Sequence, residues 1–204
     1  MYVPRLYRPE ERAELVDFLR RNNFAALVSR DTERLVATHA PVEIEETDEA
    51  LTIYGHFARA NPQWRSFGTQ EVLLIFQGPH TYISPRWYGH VNVPTWNYQI
   101  AHVYGTVREL HGEALRGLLS RLVGQHEGGS PYRLETLPED FIQREMQAVF
   151  GFALTVTRLE GSYKLSQNRN AEDHASIVAH LEQRADEASH AVAAAMRQHR
   201  GPAA

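Results

Sequence analysis

The residues best suited to ligand binding or chemistry are concentrated in one segment near the middle of the chain, residues 76–105. Its aromatic residues are Phe76, Tyr82, Trp87, Tyr88, Trp96, Tyr98 and Tyr104. Two X-Pro steps, at Ser84-Pro85 and Val93-Pro94, impose extended or turn conformations. Short aromatic-rich extended runs between turns favour a β-lined site for a flat ligand. They fit equally a β core whose Tyr and Trp polar groups reach water or the backbone.

Common catalytic and nucleotide-binding signatures are missing from the sequence. It contains no GxGxxG or GxxxxGK[ST] motif, no GxSxG nucleophile turn and no HExxH zinc motif. The histidines of the predicted β region lack metal-ligand spacing, so structural or surface roles explain each of them better. These are His39, His56, His80, His90 and His102. No metal site is predicted, and no catalytic triad can be assembled.

Composition and charge narrow the functional class. A chain of 204 residues with 43% hydrophobic and 23% charged residues is typical of one soluble domain with a helical appendage. The absence of cysteine excludes disulfides and thiolate metal sites. No apolar run has the length of a membrane span and the N-terminal segment has no apolar signal core, so we expect a cytoplasmic protein without a membrane partner. A net charge of −4 without a Lys/Arg cluster makes direct nucleic-acid binding doubtful.

Hydrophobic periodicity predicts a mainly β domain with packing helices. A first helix should open at Pro9 and close near Asn23, and a short helix should begin at Asn61-Pro62, where Asn caps and Pro suits the first position. The run 70–77 predicts a strand buried on both faces. Further strands are predicted at residues 24–30, 34–41, 50–56, 98–110 and 150–156.

The remaining helices follow from the same periodicity. One spans 115–123, another starts at Pro138, and a single last helix is capped by Asn170. The apolar face of that last helix is predicted to comprise Ile177, Leu181, Ala185, Ala188 and Val192. Residues 200–204 should fray.

Four motifs spread over most of residues 1–170 carry a family resemblance. They are GHFARANPQW (55–64), FQGPHTYISPRWY (76–88), VPTWNYQIAHVYG (93–105) and YKLSQNR (163–169). In these motifs the chain resembles the PaiB-type FMN-binding negative transcriptional regulators. That family is a branch of the FMN-binding split β-barrels, which also include pyridoxamine phosphate oxidases and flavin reductases.

The resemblance implies a fold, a cofactor and a partner. Residues 1–170 should form an antiparallel, Greek-key-like split barrel, with a C-terminal helix and tail (171–204) packed on the same domain. The cofactor should be FMN, bound in two clefts at the interface of a homodimer.

The resemblance also assigns an FMN phosphate site to Arg59, Ala60 and Asn61 at the start of the short helix. Arginine charge and aligned backbone N–H groups suit a phosphate. The related oxidases carry a richer basic cluster at this position, where this chain has a single arginine. The alternative for Arg59 is a solvated surface side chain.

Other residues are assigned to the flavin ring by the same resemblance. Thr38, His39 and Ala40 fall where split barrels place a strand against the ring, and His56 could add a polar contact. Trp96, Asn97 and Tyr98 could pack against the isoalloxazine ring. A half-buried strand and a packed core are the alternatives for these two groups.

The segment YKLSQNR corresponds to the C-terminal barrel segment that reaches the partner's flavin in oxidases of this fold. The resemblance therefore implies contacts across the dimer from Tyr163, Lys164, Gln167 and Asn168. Lys164 is the chain's single lysine. Without the resemblance, a polar run after a strand would be interpreted as an ordinary loop.

Two functional classes remain open at the level of sequence. One is a homodimeric FMN-binding transcriptional regulator, and the other is a flavin-dependent oxidoreductase or flavin reductase that uses the same cleft. A haem-binding split barrel fits less well because no histidine stands out as an axial ligand. Turnover of NAD(P)H by the purified flavoprotein separates the first two classes.

Overall fold

A computed structural model of the chain describes residues 1–32, 34–68 and 70–199. The strands are β1 (Phe24–Arg30), β2 (Leu35–Glu46), β3 (Leu51–Ala58), β4 (Val72–Ile83), β5 (Thr95–Leu110) and β6 (Val149–Lys164). The α-helices are α1 (Arg12–Arg21), α2 (Gly112–His126), α3 (Glu139–Gln147), α4 (Ala171–Glu182) and α5 (Glu187–Gln198). Short 3-10 helices lie at Arg5–Tyr7, Pro62–Ser66, Pro85–Trp87 and Leu134–Thr136. The predicted fraying at 200–204 lies outside the described residues.

The six strands form one antiparallel sheet that closes on itself in the order β1-β2-β3-β6-β5-β4. The first three strands form a meander, and β6 then pairs with β3, which gives the Greek-key-like order expected from the resemblance. The register places His39 opposite Ala26, Tyr54 opposite Glu43, and His56 opposite Gly151. The mainly β fold with packing helices is confirmed.

The chain divides into two compact units. The first unit comprises Met1–Phe18, Gln77–His102 and the chain from Glu160 onward. The second comprises Leu19–Phe76 and Val103–Leu159. The proposed division into a barrel domain at 1–170 and a C-terminal segment at 171–204 stays a prediction.

The second unit contains two groups of buried apolar side chains. Alternation along the strands sends one set to the inner face of the sheet, including the fully buried Leu27, Ile53 and Phe152. A second cluster joins α2 and α3 to β5 and β6. Its buried members are Leu110, Leu115, Leu118, Leu122, Ile142, Met146 and Ala153.

Two glycines allow close approaches within the second unit. A Cβ added to Gly105 of β5 would collide with the backbone oxygen of Thr155 on β6. A Cβ added to Gly151 of β6 would collide with the side chain of Leu115, which comes from α2. The first glycine permits two strand backbones to approach, and the second permits α2 to lie directly on the sheet.

In the first unit, polar contacts attach the C-terminal helices to the segment between β4 and β5. The Thr81 and Ser189 hydroxyl oxygens lie 3.0 Å apart, which ties α5 to β4. Asp173 of α4 accepts a hydrogen bond of 2.8 Å from the backbone N–H of Gly89. These helices therefore hold the proline-rich loop that the sequence singled out.

The C-terminal region corrects one prediction, because two helices replace the single one. α4 ends at Glu182, and Asp186 caps α5 by accepting hydrogen bonds from the N–H and hydroxyl of Ser189. Ala185 and Ala188 are consequently exposed rather than part of a buried face. The apolar periodicity continues across the break and so predicts one helix, whereas the local Asp-x-x-Ser cap begins a second helix.

The strand at 70–77 also differs from its prediction. In β4 the residues from Val72 to Phe76 alternate between buried and half-buried, so only one face is fully covered. Leu73 and Ile75 lie on the less covered face. A continuous apolar run predicts a strand that is buried on both faces, but the second face of β4 remains partly exposed.

We predict that Gly105→Ala lowers the free energy of unfolding by about 1–3 kcal/mol, because a backbone atom cannot rotate away from the new methyl group. Gly124→Ala is the matched control: its Cβ would have no heavy atom within 4 Å, and the change should stabilise α2 by up to about 1 kcal/mol. Urea unfolding curves measure both. A Gly105→Ala protein as stable as the parent would contradict the close approach.

Candidate functional site

Arg59, the predicted phosphate ligand, lies directly after β3 and is held by several contacts of the second unit. Its guanidinium pairs with Glu109 of β5, and its Nε donates a 3.3 Å hydrogen bond to the Val149 carbonyl. The guanidinium also lies 5.6 Å and 5.5 Å from the ring centroids of Trp64 and Phe150. The side chain is still 35% exposed. Arg59 is therefore a positioned, partly accessible cation rather than a freely solvated one.

Asn61 organises the turn beside Arg59. Its side-chain oxygen accepts a 3.1 Å hydrogen bond from the backbone N–H of Gln63, as the predicted cap requires. Its amide nitrogen donates a 2.7 Å hydrogen bond to the hydroxyl of Thr38 on β2. The structure thus brings together two of the predicted site residues that are distant in sequence.

Gln63 fixes this turn to the sheet from the buried side. Its amide nitrogen donates to the Leu27 and Val36 carbonyls at 3.1 and 3.2 Å and to the Ser29 hydroxyl at 3.0 Å. The helix that follows is a five-residue 3-10 helix. Its short length gives little helix dipole, so a phosphate here would depend on the Arg59 charge more than on the helix end.

His39 and Ala40 do not share the surroundings of Thr38. Because successive strand residues point to opposite faces, His39 lies on the other face of β2 from Thr38. Its ring stacks on Phe24 with centroids 6.0 Å apart. Ala40 is fully buried. Ala60, next to Arg59, is exposed. Of the three strand residues assigned to the flavin, only Thr38 lies with Asn61.

His56 lines an apolar cavity between the sheet and the helices α2 and α3. Its Nδ1 atom is buried and has no hydrogen-bond partner within the described chain. Burial lowers the pKa of His56 below its ordinary value of 6.5. The neutral imidazole is therefore the favoured form at neutral pH, and its contact with flavin stays a prediction.

The ring-wall residues predicted on β5 belong to the first unit and have three different environments. Trp96 is 53% exposed and lies 6.3 Å from the His80 ring and 6.1 Å from the Tyr82 ring. Asn97 is fully buried and donates hydrogen bonds to Ser166 and to the sulfur of Met196. Tyr98 is half-buried. Trp96 presents an accessible aromatic face, whereas Asn97 joins β5 to the C-terminal region.

The predicted partner-contact segment is folded back on its own unit. Tyr163 is buried, with its ring 5.3 Å from the ring of Phe18. Gln167 accepts from the Leu165 N–H and donates to the Tyr163 carbonyl, and Ser166 adopts a left-handed φ of 62°. Asn168 is exposed. This tight turn is built by local hydrogen bonds, and its contacts across a dimer stay predictions.

Lys164 precedes that turn. Its ammonium group donates a hydrogen bond to the Thr95 hydroxyl. Burial, and to a smaller extent the charge of Arg169, lowers the pKa of Lys164. The lone lysine is therefore a partly desolvated amine at the end of β6, next to the first residue of β5.

The sequence did not single out Glu109, Trp64 or Phe150 as partners of Arg59. Trp64 lies within the recognised motif, five residues after Arg59, so a local signal was present. Glu109 and Phe150 come from β5 and β6, and only the strand order brings them close. Across residues 1–32, 34–68 and 70–199, no group of three or more His, Asp or Glu side chains is arranged to hold a metal. In the same ranges no helix is long and apolar enough to cross a membrane.

Comparison with known proteins decides the family. The sequence model named "Putative FMN-binding domain" matches residues 1–158. The chain belongs to this family. The Bacillus subtilis member "Protease synthase and sporulation protein PAI 2" is 36% identical over 185 residues, which cover 89% of each chain. The resemblance to PaiB-type proteins is thereby confirmed.

Solved structures support the fold assignment of this family member. The flavocytochrome Anf3 from Azotobacter vinelandii superposes with a TM-score of 0.61 at 16% identity, covering 85% of this chain and 78% of that one. A FAD- and haem-binding protein from Mycobacterium smegmatis gives a TM-score of 0.60 at 17% identity, with coverages of 78% and 73%. At these identities the similarity concerns the fold, and the split-barrel prediction is confirmed.

We predict that His56 makes stability depend on pH. Because its pKa is lower in the folded chain than the ordinary 6.5, the unfolded state binds more protons, so this contribution is complete above about pH 7 and is lost progressively as pH falls from 6.5 through the lower pKa of the folded chain. His56→Gln should flatten the decline between about pH 7 and pH 5. Urea unfolding at several pH values measures the slope, and an NMR titration that places the His56 pKa at or above 6.5 would contradict the prediction.

Proposed function

We propose that this chain is an FMN-binding, PaiB-like protein in which Arg59 holds the FMN phosphate. The observation that supports this most directly is the arrangement around Arg59. Its guanidinium is fixed by two aromatic rings and a carbonyl, yet remains partly exposed at the end of β3. A positioned arginine loses little conformational entropy on binding a phosphate, and its planar fork matches phosphate oxygens.

Glu109 determines how the phosphate is accommodated in this proposal. Its carboxylate pairs with Arg59 and lies 3.6 Å from the ring of His111. A phosphate carries more negative charge than a carboxylate and offers three acceptor oxygens. The FMN phosphate would therefore bind the guanidinium beside Glu109 or in its place. The contacts to Val149 and the aromatic rings would keep Arg59 in position.

Thr38 and Asn61 are the polar neighbours that complete the proposed phosphate end. They already form a hydrogen bond of 2.7 Å, so Asn61, two residues after Arg59, presents a fixed pair of polar groups together with Thr38 of β2. Bound FMN would supply redox chemistry through its ring. The chain's own residues at this end bind and orient the phosphate.

We predict that Arg59→Ala weakens FMN binding by roughly ten- to a hundredfold, the effect of losing a charge-assisted hydrogen bond worth about 1.5–3 kcal/mol. Riboflavin, which lacks the phosphate, should bind with nearly unchanged affinity. Quenching of flavin fluorescence measures both, together with FAD, which should bind more weakly than FMN to the unmodified chain. Equal losses for FMN and riboflavin would show that Arg59 is structural.

Glu109→Gln is the matched control for this prediction. It removes the same ion pair but leaves the arginine, so FMN affinity should be retained or rise while riboflavin binding stays constant. Both variants lose the pair, so both should lose up to about 1 kcal/mol of stability, with a further loss for Arg59→Ala from its aromatic contacts. If Glu109→Gln weakens FMN as much as Arg59→Ala does, the ion pair rather than the arginine is responsible.

The homodimer is the second part of the proposal, and it is supported by the outer sheet face of the second unit. We use that term for the outward side chains of β1, β2 and β4: Phe24, Ala26, Val28, Leu35, Ala37, Leu73 and Ile75. The register places Ala37, Val28 and Leu73 in one row. Phe24 is 66% and Leu35 is 75% exposed. Contiguous apolar surface of this kind is typical of interaction sites.

We predict a dimer at micromolar concentration and a roughly hundredfold or larger rise in its dissociation constant for Leu35→Glu, since association would bury an unpaired charge. Leu6→Glu, at another exposed leucine outside the outer sheet face, should leave the dimer intact. Sedimentation velocity distinguishes the two. A folded monomer of the unmodified chain would contradict the homodimer.

A regulatory role, as the family resemblance implies, completes the proposal. The name of the relative PAI 2 refers to protease synthesis and sporulation, and we propose that this chain uses its flavin in regulation. The net charge of −4 supplies little of the counterion-release affinity that dominates non-specific DNA binding. We therefore expect regulation to depend on the flavin or a protein partner more than on strong DNA binding by this chain alone.

A further inference from the structure

The cavity beside His56 adjoins the turn that holds Arg59, because Val149 lines the cavity and its carbonyl accepts a hydrogen bond from Arg59, but the cavity lining differs in chemistry. Its volume is about 420 Å³, which is in the range of small-molecule pockets. Its floor contains Pro41, His56 and Val149 from the sheet and the start of β6. The apolar walls come from α2, the Leu134–Thr136 region and α3: Leu119, Leu122, Val123, Leu134, Leu137, Phe141, Ile142 and Met146.

The acidic side chains that line the cavity are two glutamates, and its other polar side chains are His56, His126 and Tyr132. Glu127 and Glu145 lie at its lining, and His56 is a neutral imidazole that can accept a hydrogen bond. None of the residues that line the cavity is Lys or Arg. Two aromatic side chains, Tyr132 and Phe141, are 42% and 39% exposed at the same site. The lining therefore favours a ligand with an apolar body and a positively charged head.

One arginine lies close to the cavity without lining it. The Nε of Arg144 lies 3.4 Å from a Glu145 oxygen and its guanidinium lies 5.0 Å from the Phe141 ring, but the Arg144 and Glu145 side chains are both more than half exposed, and such ion pairs are weak. An anion such as the FMN phosphate would meet two carboxylates and no lysine or arginine side chain in this lining. The FMN phosphate is therefore not the group that this cavity selects.

We propose that this cavity binds a small hydrophobic amine, with the alkyl or aryl group among the apolar side chains of α2 and α3 and the ammonium group near Glu127 and Glu145. An aliphatic chain gains free energy on leaving water in proportion to its apolar area. The ammonium is a donor with no acceptor capacity, so it complements the acceptors of the lining. This site does not depend on the proposed flavin site.

The first test is a comparison of three probes of equal chain length, n-octylammonium, 1-octanol and octanoate, by isothermal titration calorimetry at pH 7.5. The alkyl part of octanoate is shorter by one carbon, which costs about 0.8 kcal/mol of apolar transfer, so a larger difference from octylammonium reports the head group. We expect saturable binding of one octylammonium per chain, weaker binding of octanol, and the weakest binding of octanoate. No saturable binding of octylammonium, or octanoate binding as tight, would overturn the proposal.

A cavity-filling variant locates the site. Leu119 is half-buried and lines the cavity, so Leu119→Trp should lower octylammonium affinity about tenfold or more by occupying the space of the alkyl chain. Leu6→Trp is the matched control at an exposed position, and it should have no effect. If Leu119→Trp fails to fold by circular dichroism, Val123→Phe on the next turn serves the same purpose. Unchanged affinity in a folded filling variant would overturn the location.

A charge variant tests the head group. Glu127→Gln with Glu145→Gln should weaken octylammonium roughly two- to fivefold for each charge removed and leave octanol unchanged. Glu10→Gln with Glu49→Gln removes the same net charge at exposed positions outside the cavity and should leave both probes unchanged. An equal loss for octanol and octylammonium would refute the recognition of the amine. Competition between FMN and octylammonium would show that the cavity belongs to the flavin site.

Discussion

The pairing of β3 with β6 is the constraint on which the second unit depends. It places His56 opposite Gly151 and Ala58 opposite Val149, so one register fixes two chemically distinct positions. Past the end of this ladder, Arg59 reaches the Val149 carbonyl and the Phe150 ring. Within the ladder, the missing side chain at Gly151 admits Leu115 of α2. Because side chains alternate along a strand, a shift of one residue would reverse which of these groups faces the helices.

This register also explains why the same short stretch of chain serves two environments. His56 faces the apolar cavity under α2 and α3, where burial favours a neutral ring. Three residues later, Arg59 lies in a polar and aromatic setting with Glu109 and Trp64. The first setting suits apolar groups and cations, and the second suits anions. The end of β3 separates these two settings.

Local features were well predicted from sequence, whereas contacts between distant segments were not. The Asn61 cap and the short helix after it were predicted correctly because both depend on adjacent residues. β1 was predicted with its observed limits for the same reason. The pairing of Arg59 with Glu109 could not be predicted, because it depends on β5 lying beside β6. The break between α4 and α5 was missed because apolar spacing extends across it, although the Asp186 cap was a readable local signal.

The environment of Lys164 makes this residue suitable for selective chemical labelling. It is the single side-chain amine in 204 residues, and its lowered pKa leaves a larger fraction of it uncharged and nucleophilic than an ordinary surface lysine. An amine-reactive fluorophore would therefore label one side-chain position, next to Thr95 at the start of β5. A fluorophore attached there would report on changes in the turn that follows β6.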